Sequence, residues 1–246
     1  MDPVVVRGLA KSFYDEARGE VKAVQGIDFE CRAGEIFGLL GANGAGKTTT
    51  LRMLSTVLMP TGGSAAILGH DISADPTAVR KCLGFYSAST ALYPRLTARE
   101  TIEFFARINQ YPGDVKQRVD FLVERFGISH YASARVDKLS SGMKQKVSIA
   151  RTVAHDPPIL IFDEPTVGLD VLNALEIQEV IKEFRAQGKT ILFSTHIMSE
   201  AEKLCDRIAI IHGGRILACS NLEELRQATG ERYLEDIFVH YVRGQG

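Results

Sequence analysis

Apolar positions along the 246-residue chain change their period several times. Near the start the runs are short and extended: residues 4–6 (VVV), then 21–29, continuing through Cys31 to a turn at Ala33-Gly34. Residues 35–40 (EIFGLL) are almost continuously apolar, as a strand buried on both faces should be. A glycine-rich turn follows. Residues 48–58 then place Leu51, Met53, Leu54 and Leu58 at helical spacing, with Pro60 and the Gly62-Gly63 pair as the stop. From 92 to 138 the pattern is helical. Residues 98–108 carry Ile102, Phe104, Phe105 and Ile108, and residues 115–126 carry Val119, Leu122, Val123 and Phe126. No strand pattern interrupts them, so this stretch reads as a helical insert between two β-rich parts.

Alternation then resumes. A helix is predicted over 143–155, a buried strand over 158–163 (PILIFD), a helix over 172–187 and a strand over 190–194 (TILFS). A helix over 197–204 and a strand over 207–211 follow, and 215–217 pairs back across Gly213-Gly214. Residues 221–242 read as two short helices. Helices and strands in alternation imply an α/β protein with a mainly parallel sheet covered by helices.

Two segments of this frame carry chemistry. Gly41-Ala42-Asn43-Gly44-Ala45-Gly46-Lys47-Thr48 fits G-x-x-x-x-G-K-[ST], with a buried strand before it and a helix after it. Glycines let backbone N–H groups fold around a phosphate without a Cβ clash, and the helix N-terminus adds unpaired donors and a positive dipole end. In such a loop Lys47 reaches the β and γ phosphates and Thr48 offers its hydroxyl to Mg²⁺. The strand 158–163 ends in Asp163 followed by Glu164. Asp163 is placed to hold Mg²⁺, directly or through water, and Glu164 to polarise the attacking water.

Two further features are open to more than one reading. Leu139-Ser140-Ser141-Gly142-Met143 precedes a helix. Ser140 or Ser141 serves either as a plain N-cap or, with the Gly142 N–H and the helix dipole, as a second phosphate site. His196 follows the TILFS strand at the edge where ligands bind in open α/β sheets, so it is either structural or a γ-phosphate contact.

Composition restricts the setting. Apolar residues make up 45% of the chain and charged residues 24%, which suits a globular fold with its own core. Net charge is −1, so nothing favours nucleic acid as a partner. Cys31, Cys82, Cys205 and Cys219 are scattered, without C-x-x-C or metal-ligand spacing, and read as idle reduced thiols. The first residues lack the basic and apolar segments of a signal peptide. Apolar runs such as 159–162 and 208–211 fall far short of the ~20 residues of a membrane helix. The expected location is therefore cytoplasmic, with attachment to a membrane partner open.

These motifs, in this order and spacing, resemble the nucleotide-binding subunit of an ABC transporter over residues 4–225. The resemblance implies a P-loop NTPase (RecA-like) core with a small antiparallel β subdomain and an α-helical subdomain. Residues 1–246 would form one ABC ATPase domain: 1–91 and 139–220 as the β-rich and RecA-like core, 92–138 as the helical subdomain, 221–246 as a C-terminal helical tail. It implies ATP and Mg²⁺ as ligands and a transmembrane permease subunit as partner on the inner face of the cell membrane. It also implies a second copy of the chain in a head-to-tail dimer with ATP sandwiched at the interface. Phe13 resembles the aromatic that stacks on adenine, with Tyr14 as the alternative. Gly41, Asn43, Gly44, Ala45, Gly46, Lys47, Thr48 and Thr49 fall in the family's phosphate loop. Ser140 and Gly142 fall in its signature, Asp163 on the metal-binding aspartate and Glu164 on the catalytic glutamate. Asp170 falls on the aspartate that reaches across the dimer, and His196 on the switch histidine.

Two departures stand out. The signature has Ser141 for a glycine and Met143 for a glutamine, and Ala88 occupies the place of a glutamine that normally touches Mg²⁺ and the attacking water. Ser87 or Ser89 is a candidate substitute through a water. The segments EIFGLLGANGAGKTTTLRML, GFYSASTALYPRLTARE and LSSGMKQKVSIARTVAHDPP resemble Nat-type sodium-export ATPases and their drug-export relatives. Sodium export is thus the first expectation, and drug or lipid export the second. A non-transport ABC ATPase is disfavoured by the single cassette and short insert, and a degenerate regulatory nucleotide binder by the intact Lys47, Asp163, Glu164 and His196.

Overall fold

The computed structural model describes residues 2–17 and 19–244, so the outermost residues of the predicted segments 1–91 and 221–246 (Met1, Gln245 and Gly246) lie outside the described residues. Two sheets organise the chain. The first is antiparallel, in the order β2-β1-β4-β5: β1 (Val4–Asp15), β2 (Gly19–Cys31), β4 (Gly62–Ile67) and β5 (His70–Asp71). The second has six strands in the order β10-β9-β3-β8-β7-β6: β3 (Ile36–Leu40), β6 (Leu83–Ser87), β7 (Ile159–Asp163), β8 (Thr190–Thr195), β9 (Arg207–His212) and β10 (Arg215–Ser220). All its pairings are parallel except that of β10 with β9.

Nine helices are described: α1 (Lys47–Leu54), α2 (Pro76–Lys81), α3 (Ala98–Ile108), α4 (Val115–Arg125), α5 (Ser141–Thr152), α6 (Val171–Ala186), α7 (Met198–Leu204), α8 (Leu222–Thr229) and α9 (Leu234–Arg243). Strand β3 shows why its sequence is apolar throughout. Side chains alternate along a strand, and here both faces are covered. Ile36 joins the core beneath α3 to α6, with Leu160, Phe162, Ile191 and Phe193. Phe37 and Leu39 enter the opposite core, with Leu51 and Leu54 of α1 and Val4 and Val6 of β1. The Phe29 ring of β2 stacks on Phe37 at 5.0 Å, tying the antiparallel sheet to the parallel one. Burying one such ring contributes about 1.5–3 kcal/mol. A third core gathers Leu40, Ile208 and Ile210 beneath Leu225, Leu234 and Ile237 of the last two helices.

The fold departs from the sequence pattern at several elements. The helix predicted over 48–58 stops at Leu54: Thr56 turns left-handed (φ 60°), and the Val57 and Leu58 amides fold back onto the Arg52 carbonyl. Strand β4 (GGSAAI) escapes the pattern because glycine and alanine carry little strand preference. Pairing with β1, Val4 opposite Ile67, makes it a strand. Strand β6 and the six-residue α2 also went unread, since both are too short to show a period. Between β6 and β7 the described residues hold helices and turns but no strand, and α3 begins with a full capping box, Thr97 against Glu100.

One ion cluster ties α4 to the strands. Arg118 donates to the Val153 and Ala154 carbonyls (2.7 and 3.3 Å) and pairs with Asp156 at 3.1 Å. Lys189 pairs with the same carboxylate at 2.8 Å. Both cationic side chains are nine-tenths buried, while Asp156 is half-exposed in a left-handed conformation (φ 58°). Asn tolerates that conformation almost as well as Asp does. Asp156→Asn therefore isolates the charge. After solvent screening it is expected to cost about 1–2 kcal/mol, visible in thermal denaturation as a Tm lower by about 2–8 °C.

Candidate nucleotide site

The loop from Gly41 to Gly46 joins β3 to α1. Gly46 is the N-cap of α1, left-handed at φ 108°, with no side-chain cap and no acidic residue in the first turn. Helices α3, α5 and α6, by contrast, are capped by Thr97, Ser140 and Asp170. The N-terminus of α1 therefore keeps its backbone donors open to an anion. Two glycines are fixed by close packing. A Cβ at Gly41 would lie 2.4 Å from the Ile211 carbonyl oxygen, and one at Gly46 would lie 2.7 Å from that of Ala23. Lys47 is buried, and its Nζ folds back to donate to the Gly41 and Ala42 carbonyls at 2.7 and 3.1 Å. The resulting cleft, about 180 Å³, is lined by Ala23, by Asn43, Gly44, Gly46, Lys47, Thr48 and Thr49, and by Glu164. Ala45 is buried behind it.

Strand β7 brings the acidic pair to this cleft. Asp163 is buried, and its Oδ1 accepts from Thr48 Oγ1 at 3.0 Å and from Ser194 Oγ at 2.8 Å. Its Oδ2 faces Ser87 Oγ at 3.4 Å. Glu164 has a left-handed backbone (φ 50°), which costs a non-glycine residue about 1–2 kcal/mol. Its N–H, 3.2 Å from both the carbonyl and the hydroxyl oxygen of Ser194, ties it to the end of β8. Strain held in place by its surroundings, beside the cleft, makes Glu164 a candidate functional residue. Glu164 Oε1 lies 3.1 Å from Lys47 Nζ and 3.1 Å from His196 Nδ1. Burial pushes the Glu164 carboxyl up, but hydrogen bonds to His196 and Lys47 and the lysine charge outweigh it and hold the group below the usual glutamate range.

The structure thus joins Lys47, Thr48, Asp163, Glu164 and His196 at the ends of β3, β7 and β8. Asn43, Gly44, Gly46 and Thr49 line the same cleft, whereas Phe13, Ser140, Gly142 and Asp170 are not among its lining residues. Ser140 caps α5 by accepting from the Met143 N–H at 3.3 Å. Ser140, Gly142 and Asp170 line a separate cleft of about 270 Å³ together with Gly168 and Leu169. The Asp170 carboxyl caps α6 through the Asn173 N–H, which holds its pKa down. Phe13 lies half-exposed on β1 opposite Val21, with Lys11 Nζ 5.2 Å from its ring centre, and Tyr14 is more exposed still. Sequence reasoning missed Ser194, which touches both Asp163 and Glu164. A hydroxyl at the end of an otherwise apolar strand was the available signal.

A mainly parallel sheet with an uncapped glycine loop after β3 and an acidic pair at the end of β7, one strand away across β8, defines a P-loop nucleotide-binding protein. Residues 24–167 match a family described as ABC transporter. ABC transporter ATP-binding protein NatA of Bacillus subtilis (strain 168) is 39% identical over 98% of this chain and 99% of its own length. The daunorubicin resistance ATP-binding protein DrrA3 of Streptomyces coeruleorubidus is 35% identical over 86% of this chain and 67% of its own. Among solved structures, an ATP-binding subunit of an ABC transporter superposes with a TM-score of 0.87 at 30% identity, covering 97% of this chain and 99% of that one. A dimeric ATP-binding cassette in a post-hydrolysis state bound to ADP and Pi gives 0.81 at 26% identity, covering 89% and 98%. The chain belongs to the ABC transporter family, as an ATP-binding ATPase subunit. No described helix is long and apolar enough to cross a membrane.

Proposed function

We propose that the chain binds and hydrolyses ATP on the Gly41–Thr48 loop and thereby drives export through a separate transmembrane permease, from the inner face of the cell membrane. The observation that carries this reading is the meeting of Lys47, Glu164 and His196 beside the Thr48–Asp163 pair. Lys47 and the open amides hold the β and γ phosphates, helped by Asn43, Gly44, Ala45, Gly46 and Thr49, while Phe13 stacks on adenine. Glu164 orients the attacking water and takes its proton, and His196 keeps Glu164 in place and contacts the γ phosphate. The donor set fits Mg²⁺: the Thr48 hydroxyl and Asp163 carboxylate are hard oxygens 3.0 Å apart at a helix N-terminus. Bound there, Mg²⁺ supplies charge neutralisation on the phosphate oxygens. The whole chain acts as one ATPase unit, with 1–91 and 139–220 as its core, 92–138 as its helical subdomain and 221–246 as its tail.

The second cleft supports a head-to-tail dimer in which Ser140, Gly142 and Asp170 complete the partner copy's site. Gly142 argues for this on physical grounds. Its φ is ordinary and a Cβ there meets only Leu169 Cδ2, at 3.6 Å, so the fold of one chain does not require glycine. A requirement from outside the chain, the close approach of a phosphate, accounts for it. Gly142→Ala is expected to stabilise α5 by up to about 1 kcal/mol yet to slow ATP turnover at least about tenfold. Thermal denaturation and a phosphate-release assay on the same sample check both halves; turnover at the wild-type rate would remove Gly142 from the composite site.

Sodium ion is the first substrate to test, on the strength of the likeness to Nat-type ATPases over the full chain. A hydrophobic drug or lipid is second, supported by the drug-resistance relatives. ATP-driven Na⁺ flux in vesicles holding the chain and its co-purifying membrane subunit tests the choice. A flux that ignores Na⁺ but moves a lipophilic dye selects the second.

A further inference from the structure

The metal-side carboxylate has one more set of contacts, on its other oxygen. Asp163 Oδ2 accepts from Ser87 Oγ (3.4 Å), Ser87 Oγ lies 3.0 Å from Ser89 Oγ, and Ser89 Oγ accepts from Arg52 Nη2 (2.9 Å). A hydroxyl carries a single hydrogen. Because a carboxylate can only accept, the Ser87 hydrogen points to Asp163. Ser89 must then donate to Ser87, and Arg52 to Ser89. Every donor in the chain runs the same way, from a cation to an anion, and such chains polarise one another.

The layout closes a ring. Thr48 and Arg52 stand four residues apart on α1, and so on one helix face. Thr48 grips Asp163 Oδ1 directly, and Arg52, one turn on, reaches Oδ2 through two serines. Ser87 is buried at the end of β6, beside Asp163 on β7, whereas Ser89 is exposed and Arg52 half-buried. Between the serines sits Ala88, where the resemblance led one to expect a glutamine.

We propose that Arg52, Ser89 and Ser87 form a positioning relay that fixes the Asp163 carboxylate for Mg²⁺ and ties it to the β6–α3 segment. The relay rests on the proposed ATPase reading. The three residues act through Asp163, so cutting the relay weakens metal binding while leaving contacts to the nucleotide alone.

The test titrates Mg²⁺ against binding of a fluorescent ATP analogue to wild type, Ser87→Ala, Arg52→Ala and the double variant, with metal-free binding measured alongside. Ser87→Ala is expected to raise the half-saturating Mg²⁺ concentration about fivefold, and Arg52→Ala, acting through an exposed link, about twofold. The double variant should match Ser87→Ala alone, because a relay already cut at Ser87 has nothing left to lose at Arg52. Metal-free affinity should stay at the wild-type value. An unchanged Mg²⁺ midpoint in Ser87→Ala, a double variant equal to the product of the singles, or an equal loss without metal would each overturn the relay. Wild type that binds no nucleotide at any Mg²⁺ concentration would instead overturn the ATP reading beneath it.

Discussion

Glu164→Gln is expected to lower ATP turnover by about 100-fold or more while leaving ATP binding intact and prolonging the ATP-bound dimer. The substitution keeps the shape and the backbone conformation of the strained residue but removes the carboxylate that takes a proton. The contacts of the carboxylate add an electrostatic side to the effect. Glu164 Oε1 is shared between Lys47 Nζ and His196 Nδ1, at 3.1 Å from each, and those contacts hold its pKa down against burial. Glutamine in its place gives up the charge that both of these partners meet. Phosphate release under single-turnover conditions, with dimer lifetime followed by size-exclusion chromatography in ATP, checks both halves. Undiminished turnover would take Glu164 out of the role.

Much of this site was legible because its chemistry is written in consecutive residues. The glycine loop and Asp163-Glu164 each lie within one segment, and apolar runs on either side identified the strands that carry them. Helices α3 and α4 were equally plain, since three full turns suffice to show a period. Contacts between distant segments were not legible. Ser194 and Ser87 come to Asp163 only because β8 and β6 flank β7 in the sheet, a neighbour relation that no local pattern states. The left-handed turn at Glu164 is likewise imposed from outside, by the end of β8. Strand β4 illustrates the opposite case, in which small residues with weak preference of their own become a strand because β1 offers an edge. The glutamine expected at Ala88 is a departure visible in sequence, but its consequence is tertiary: Ser87, whose hydroxyl reaches Asp163, and Ser89, whose hydroxyl meets that of Ser87, stand on either side of it.

Lys47→Ala is expected to weaken ATP binding about 100-fold or more, since charge-assisted contacts to two phosphates are lost at about 1.5–3 kcal/mol each. A second effect competes with this one. Lys47 Nζ also braces the loop through the Gly41 and Ala42 carbonyls, so its loss could act by loosening the backbone cradle instead. AMP separates the two, because it lacks the phosphates Lys47 reaches. Loss of phosphate contact leaves AMP affinity unchanged, whereas a collapsed loop weakens AMP and ATP alike. The pH dependence of stability gives an independent check. The Glu164 carboxyl is held below its ordinary value of about 4.3, so its stabilising contribution is present above that value and is lost as pH falls through the lower folded one. Lys47→Ala removes the cation that helps hold it down. The variant should show a flatter loss of stability between neutral and acid pH than wild type, measured by denaturant unfolding at several pH values. A slope equal to wild type would mean that the 3.1 Å pair contributes nothing in solution.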